Sequence, residues 1–160
     1  MIESFADANE ELKRVDHLIF VSLKYTRTKD VIVNIIKRVV DCIDFLIESH
    51  LKYAQDKKKL KEDIPKNRAL KAELLKEVFA DSEEIVEMGD FYLWLRRILR
   101  AKHTKINEFK RHVALITDVK DDDGEMEKIL IGIDELEELY HTKLKRYMIM
   151  TNELIKSNSK

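Results

Sequence analysis

The sequence has little of the residues that interrupt regular structure. Its 160 residues include three Gly and one Pro, a composition that favours helices joined by short connections. With so few Gly, the glycine-rich phosphate loop of a dinucleotide-binding fold is excluded in practice. The chain is long enough to bury one hydrophobic core but not two, so we predict a single domain over residues 1–160.

Cysteine is also scarce, since Cys42 stands alone. A disulfide framework or a zinc site built on paired cysteines is therefore excluded, and the apolar run around Cys42 predicts a small core residue rather than a nucleophile. The five His are scattered without metal-ligand spacing, which predicts neither a metal site nor a cofactor. The acidic N-terminus is unlike a signal peptide, and no apolar run reaches about eighteen residues. We therefore predict a cytoplasmic protein with no membrane segment.

The chain also lacks a large excess of positive or negative residues. Thirty Lys and Arg balance thirty-one Asp and Glu, for a formal net charge of -1. That balance excludes a protein that binds polyanions through its total charge alone. Any nucleic-acid site must instead be a local patch. The densest basic run lies in residues 96–111, which hold seven Lys or Arg and a single acid, Glu108.

The spacing of apolar residues predicts the fold. Steps of three and four residues indicate helices over residues 4–23, 31–59 and 67–79, one long bent helix over residues 81–113, and a last helix that begins near Asp134. Thr28 has the position of an N-cap for the second of these helices. Alternating apolar residues on both sides of the turn signal Asp121-Asp122-Asp123-Gly124 predict a β-hairpin. We predict a mainly α protein, an antiparallel bundle of about five helices with a small β-hairpin before the last helix.

On the predicted long helix, a polar strip lies beside the apolar one. The strip consists of Arg96, Arg100, His103, Asn107 and Arg111, spaced four, three, four and four residues apart. Guanidinium groups on one helical face can each hold a phosphate, and a nearby imidazole can move protons in RNA cleavage. The alternative is that Arg96, Arg100 and Arg111 pair with acids of neighbouring helices, such as Asp41, Asp44, Glu48, Glu135 and Glu138. The sequence leaves both interpretations open.

The segment Asn107-Glu-Phe-Lys-Arg-His112 resembles the region of the HEPN superfamily, a group of small helical domains, that carries an Arg-Asn-x-x-x-His motif. Together with residues 22–30, it is also similar to uncharacterised prokaryotic helical proteins of this size. The resemblance implies that Asn107 is the motif's polar residue, that His112 is its histidine, and that the chain forms a homodimer. Active members of the superfamily are metal-independent ribonucleases. Where the motif has Arg, this sequence has Ile106, and the neighbouring cations are Lys105 and Arg111. The missing Arg fits a non-catalytic member.

Three functional hypotheses follow. The first is a non-enzymatic module that binds RNA or a nucleotide, and the second is a ribonuclease in which His112 is the acid or base and Lys105 or Arg111 replaces the missing Arg. The third is a helical interaction protein whose basic strip is internal salt bridging or a dimer seam. The binding residues of the first hypothesis are Arg96, Arg100, His103, Lys105, Asn107, Arg111 and His112.

Overall fold

The computed structural model describes residues 1–121 and 123–158, and this part of the chain is mainly helical with one small antiparallel sheet. The first four helical segments are α1 over residues 2–25, α2 at Lys29–Asp56, α3 at Arg68–Val78 and α4 at Glu83–Arg100. The sheet follows, with β1 at His103–Ile106, β2 at Ala114–Lys120 and β3 at Met126–Gly132. The last helix, α5, covers residues 133–158.

Helices α1 and α5 each contain one π-helical turn. In α1 the turn is Leu18–Ser22, between α-helical Ile2–His17 and Leu23–Tyr25. In α5 it is Tyr140–Leu144, between Ile133–Leu139 and Lys145–Asn158. The two turns are in contact through Phe20 and Tyr140, whose ring centroids lie 5.5 Å apart in an edge-on arrangement.

The predicted helix starts agree with the observed caps. The Val31 N–H donates to Thr28 Oγ1 at 3.3 Å, which confirms Thr28 as the N-cap of α2. An N-cap side chain of this kind satisfies one of the unpaired N–H groups of the first turn. For α4 the cap is Ser82, next to the predicted start at residue 81, because the Ile85 N–H donates to Ser82 Oγ. Helix α5 begins at Ile133, next to the predicted start near Asp134, and has no side-chain cap.

The prediction of one long helix over residues 81–113 is wrong. Helix α4 ends at Arg100, and residues 103–106 form strand β1 instead. Two contacts beyond the helix end favour the strand: His103 Nε2 lies 2.6 Å from the Ile98 carbonyl oxygen, and Thr117 Oγ1 donates to the Lys102 carbonyl at 2.9 Å. The first contact adds to the Ala101 N–H, which donates to the same carbonyl at 3.3 Å, so the Ile98 oxygen has two partners at the helix end. The second fixes the strand beside β2, where it pairs in register from His103↔Thr117 to Ile106↔Ala114.

The predicted hairpin is confirmed as strands β2 and β3, but the sheet has three strands in the order β1-β2-β3. Asp122, in the predicted turn, lies outside the described residues. Alternate residues of β2 and β3 are buried against the helices, namely Leu115, Thr117, Val119, Ile129 and Ile131. The opposite face is open and carries Leu130, which is 46% exposed.

Helix α2 is the centre of the core. It contacts each of the other four helices and strand β2. Cys42 is fully buried as predicted, and its Sγ–H donates to the Ala8 carbonyl oxygen at 3.3 Å. Burial raises the pKa of the Cys42 thiol far above its ordinary value, so the nucleophilic thiolate does not form. None of the helices in the described residues has both the length and the apolar character needed to cross a bilayer.

Candidate functional site

The connection between β1 and β2, residues 107–113, has an unusual backbone. Asn107 has φ 56° and Phe109 has φ 64°, two of the three positive-φ residues other than Gly in the described chain. Asn tolerates this left-handed region because its short polar side chain bonds locally, whereas Phe adopts it rarely. Such a conformation costs free energy and persists only where surrounding contacts hold it. The connection, which we call the 107–113 loop, must therefore be fixed from outside.

Two hydrogen bonds fix the 107–113 loop to the start of α2. The Phe109 N–H donates to the Arg27 carbonyl oxygen at 2.7 Å. The Lys29 N–H donates to Glu108 Oε1 at 3.0 Å, and Lys105 Nζ lies 3.0 Å from Glu108 Oε2. The backbone hydrogen bond from Lys29 and the contact with Lys105 lower the pKa of the Glu108 carboxyl. Because Glu108 remains ionised, its carboxylate pairs with Lys105 and also accepts the N–H of Lys29, the first residue of α2.

The docked loop forms one side of a cleft of about 480 Å³. Four parts of the chain line it: residues 24 and 27, the 107–113 loop, residues of the sheet, and the first residues of α5. The cations are Lys24, Arg27 and Arg111, with His112 beside them, and the acids are Asp134, Glu135 and Glu137. Ile106 and Leu130 add apolar surface from the sheet. The cleft therefore combines hydrogen-bond donors for an anion, carboxylate acceptors and apolar contacts in one place.

Arg27 is the most constrained of the cations. Its side chain is half-buried, and its Nε is a buried atom that has no hydrogen-bond partner in the described part of the protein. A buried N–H without an acceptor costs roughly 1 to 3 kcal/mol, and more when the group is charged. The planar guanidinium also has the donor geometry that matches a phosphate. The Nε–H of Arg27, a residue that lines the cleft, is thus a donor without an acceptor among the described residues.

Of the residues predicted from the sequence, the structure brings Asn107, Arg111 and His112 into the cleft. The Asn107 Nδ2–H donates to the His112 carbonyl oxygen at 3.4 Å, which links the two ends of the motif segment. Arg111 and His112 are exposed, and neither side chain forms an ion pair or hydrogen bond with another described residue. Both are therefore accessible to a ligand.

The other predicted residues lie outside the cleft. Arg96 is half-buried on α4, with its guanidinium carbon 5.8 Å from the centre of the Tyr92 ring. Arg100 is exposed at the end of α4, His103 contacts the Ile98 carbonyl, and Lys105 pairs with Glu108. The predicted single strip along one helix is wrong, because the helix ends before His103.

The alternative of internal salt bridges does not describe these arginines either. Within residues 1–121 and 123–158, Arg96, Arg100 and Arg111 form no ion pair with a carboxylate. Three of the five candidate acids have other partners: Asp41 pairs with Arg68 at 3.0 Å, Asp44 with Lys71 at 3.0 Å and Glu48 with Lys52 at 3.6 Å.

Sequence reasoning missed Lys24 and Arg27 as site residues. Both lie in the polar segment before Thr28, where the sequence shows a turn between two helices and a pair of cations. The resemblance joins this segment with residues 107–112 as a sequence pattern, but no local pattern places the two side by side. The hydrogen bonds from Phe109 to Arg27 and from Lys29 to Glu108 bring them together.

Across the described residues, no group of three or more His, Cys, Asp or Glu side chains is placed to hold a metal ion. No family model, no curated protein and no solved structure matches this chain. A functional proposal therefore depends on the chemistry of the cleft.

Proposed function

We propose that this protein binds RNA or a nucleotide without cleaving it, and that a phosphate occupies the cleft beside Lys24, Arg27 and Arg111. The observation that carries the proposal is the buried Nε–H of Arg27, which lacks an acceptor among the described residues. Because this atom is buried, the Arg27 side chain would turn towards the cleft, where a phosphate oxygen would supply the missing acceptor in a charge-assisted hydrogen bond. Arg111, exposed on the docked loop, lines the same cleft and offers a second guanidinium.

The acids of the cleft favour a nucleotide unit over a simple polyanion. Asp134, Glu135 and Glu137 would repel a phosphate placed beside them, so phosphates are favoured only next to the cations of the cleft. Carboxylates do accept hydrogen bonds from ribose hydroxyls and from the amino groups of bases. A ligand that carries phosphate at one end and a sugar and base at the other matches both kinds of group.

Removing either guanidinium should weaken RNA binding. For Arg27→Gln and Arg111→Gln we expect a lower affinity for a fluorescently labelled 12-nucleotide RNA. The slope of log affinity against log salt should also fall by about 0.7 for each lost phosphate contact to a single strand. The measurement is fluorescence anisotropy across a salt titration, with circular dichroism to verify folding.

Arg100→Gln is the matched control, because Arg100 is exposed but lies outside the cleft. It should leave the affinity within about twofold, since distant surface charges are largely screened by salt. An unchanged affinity in both Arg27→Gln and Arg111→Gln, or an equal loss in Arg100→Gln, would show that the cleft is not the phosphate site.

A ribonuclease is the second candidate, and one observation favours it. His112 is exposed in the cleft beside Arg111, where an imidazole could exchange a proton with RNA bound there. The non-catalytic proposal is preferred because no described residue forms a hydrogen bond with the His112 ring, whereas a catalytic His is usually oriented by a neighbouring group.

His112→Ala separates these two candidates. If the protein is a nuclease, the substitution should slow cleavage of a labelled RNA by roughly 10²- to 10⁴-fold, the range for loss of a general acid or base. Our proposal expects no cleavage by either protein and only a modest change in RNA affinity. RNA cleaved equally well before and after the substitution would exclude His112 as the catalytic group.

Membership of the HEPN superfamily, a homodimer and a cytoplasmic location stay predictions. The mass measured by light scattering tests the dimer directly, because a second copy doubles the mass.

A further inference from the structure

Exposed aromatic rings occur at one place in the described chain. The sequence has six Phe, five Tyr and one Trp. Among the described residues, only Tyr25 and Phe109 are largely exposed, at 86% and 76%. Tyr25 lies two positions before Arg27, and the Phe109 N–H donates to the Arg27 carbonyl at 2.7 Å. Both rings therefore belong to segments that meet at Arg27, and their neighbours Lys24, Arg27 and Arg111 line the cleft, although the rings themselves do not.

The backbone contacts of the 107–113 loop hold Phe109 in its exposed position. Its backbone has φ 64°, and the hydrogen bonds of Phe109 and Glu108 fix the loop against α2. A left-handed conformation is strained for a bulky residue, and a phenyl ring in water loses the benefit of burial. Phe109 thus combines a strained backbone with an exposed ring. Strain that specific contacts maintain is typical of ligand-binding surfaces.

The charges beside the rings identify the class of ligand. Lys24 and Arg27 border Tyr25 in sequence, and Lys110 and Arg111 follow Phe109. Lys24, Lys110 and Arg111 are exposed. Aromatic platforms next to cations are the recurrent means by which proteins bind unpaired strands, because every base has a face that stacks and every nucleotide has a phosphate. A duplex, whose bases are already stacked, offers no base face to such rings.

Resting on the proposed function, we infer that the ligand is a single-stranded nucleic acid whose unpaired bases stack on Phe109 and Tyr25 while its phosphates contact Lys24, Arg27 and Arg111. The rings supply affinity that does not depend on salt, and the cations supply the salt-dependent part. The acids of α5 lie in the same cleft and can accept hydrogen bonds from the sugar or base of the nucleotide that enters it.

The test compares four labelled probes by fluorescence anisotropy: a 12-nucleotide RNA, the DNA of the same sequence, an abasic DNA strand of the same length and an RNA duplex. Wild-type protein should bind the two base-containing single strands at least tenfold more tightly than the other two. Phe109→Leu and Tyr25→Leu keep apolar bulk but remove the aromatic face. Each should lose roughly 5- to 100-fold in affinity for the base-containing strands, the range for one stacked base, with the salt slope unchanged.

Ile149→Ala is the matched control, because Ile149 is an apolar residue 60% exposed on α5, outside the two segments that meet at Arg27. It should bind every probe as wild type does. A Phe109→Trp protein gives a second readout, since a base stacked on the new indole should quench its fluorescence beyond any change seen with Trp94 alone. Comparison of the RNA and DNA strands shows whether the 2′-hydroxyl adds to recognition.

The outcomes separate the two proposals. If Arg27→Gln and Arg111→Gln weaken binding but Phe109→Leu and Tyr25→Leu do not, stacking is refuted and phosphate binding in the cleft stands. Duplex or abasic probes that bind as tightly as the base-containing strands also refute stacking. If wild-type protein binds none of the four probes while remaining folded, the stacking inference and the binding of RNA in the cleft both fail. A base-dependent loss in the leucine variants with an unchanged salt slope supports the inference.

Discussion

Replacing Asp44 by Ala should lower the free energy of unfolding by about 3 to 5 kcal/mol, the usual cost of breaking a buried ion pair by removing one partner. Asp44 is 8% exposed on α2, and its Oδ1 lies 3.0 Å from Lys71 Nζ on α3, which is also 8% exposed. The Tyr92 hydroxyl on α4 donates to the same oxygen at 3.2 Å. One carboxylate thus joins three helices, and its loss leaves a buried ammonium and a buried hydroxyl without their acceptor.

Urea unfolding followed by circular dichroism measures this effect. The matched control is Asp44→Leu combined with Lys71→Met and Tyr92→Phe, which removes the charges and the hydroxyl together. That triple variant should recover most of the lost stability, because apolar groups of similar volume avoid the desolvation cost of an unpaired charge. Glu10→Ala breaks an exposed pair with Lys13 and should change stability by less than about 1 kcal/mol. A loss for Asp44→Ala as small as that for Glu10→Ala would contradict the prediction.

Acid should destabilise the fold through His50. The imidazole is fully buried on α2, edge-on to the Phe79 ring at 5.7 Å. Its Nδ1 lies 2.9 Å from the Leu46 carbonyl oxygen, which can only accept, so Nδ1 carries the proton and Nε2 is the bare nitrogen. No described residue bonds to Nε2, so a second proton there would be a buried and unpaired charge. Desolvation therefore outweighs the Leu46 hydrogen bond and lowers the pKa of His50 below its ordinary value of 6.5.

The direction of the pH dependence follows from that pKa. Below pH 6.5 the unfolded chain takes up a proton at His50 that the folded chain does not, so protonation favours unfolding. The stability from a neutral His50 is present above pH 6.5 and falls by about 1.4 kcal/mol per pH unit until the pH reaches the folded pKa.

Urea unfolding at several pH values between 7.5 and 5 tests this dependence in wild type and His50→Leu. The Leu variant leaves no carbonyl unpaired, because the Leu46 oxygen still accepts the backbone N–H four residues later. We expect its stability to fall less steeply with acid than that of wild type. His17→Gln, at an exposed position, is the control and should follow the wild-type curve. Equal slopes for wild type and His50→Leu would rule out His50 as the acid-sensitive group.

The sequence by itself determined the features that depend on neighbouring residues. Apolar spacing gave the helices, the Thr28 side chain gave the start of α2, and alternation gave the hairpin of β2 and β3. Burial of Cys42 followed from the apolar run around it. Each of these depends on contacts within a few residues or on a face that is apolar as a whole, and a periodic pattern records both.

The sequence failed where a distant partner decided the outcome. Apolar spacing continues in phase from α4 through Ile106 and Phe109, so it predicted one helix, yet Ile106 is 37% and Phe109 is 76% exposed. Residues 103–106 form a strand because β2 supplies the hydrogen bonds that they need, and a helical pattern carries no information about that partner.

The tertiary structure alone decided the cleft. Lys24 and Arg27 meet Asn107, Arg111 and His112 because the 107–113 loop is hydrogen-bonded to the start of α2, about eighty positions earlier in the chain. The sequence supplied the cations, the histidine and the aromatic rings. Long-range packing determined which of them share a surface, since local periodicity cannot specify which distant segments of a chain are brought together.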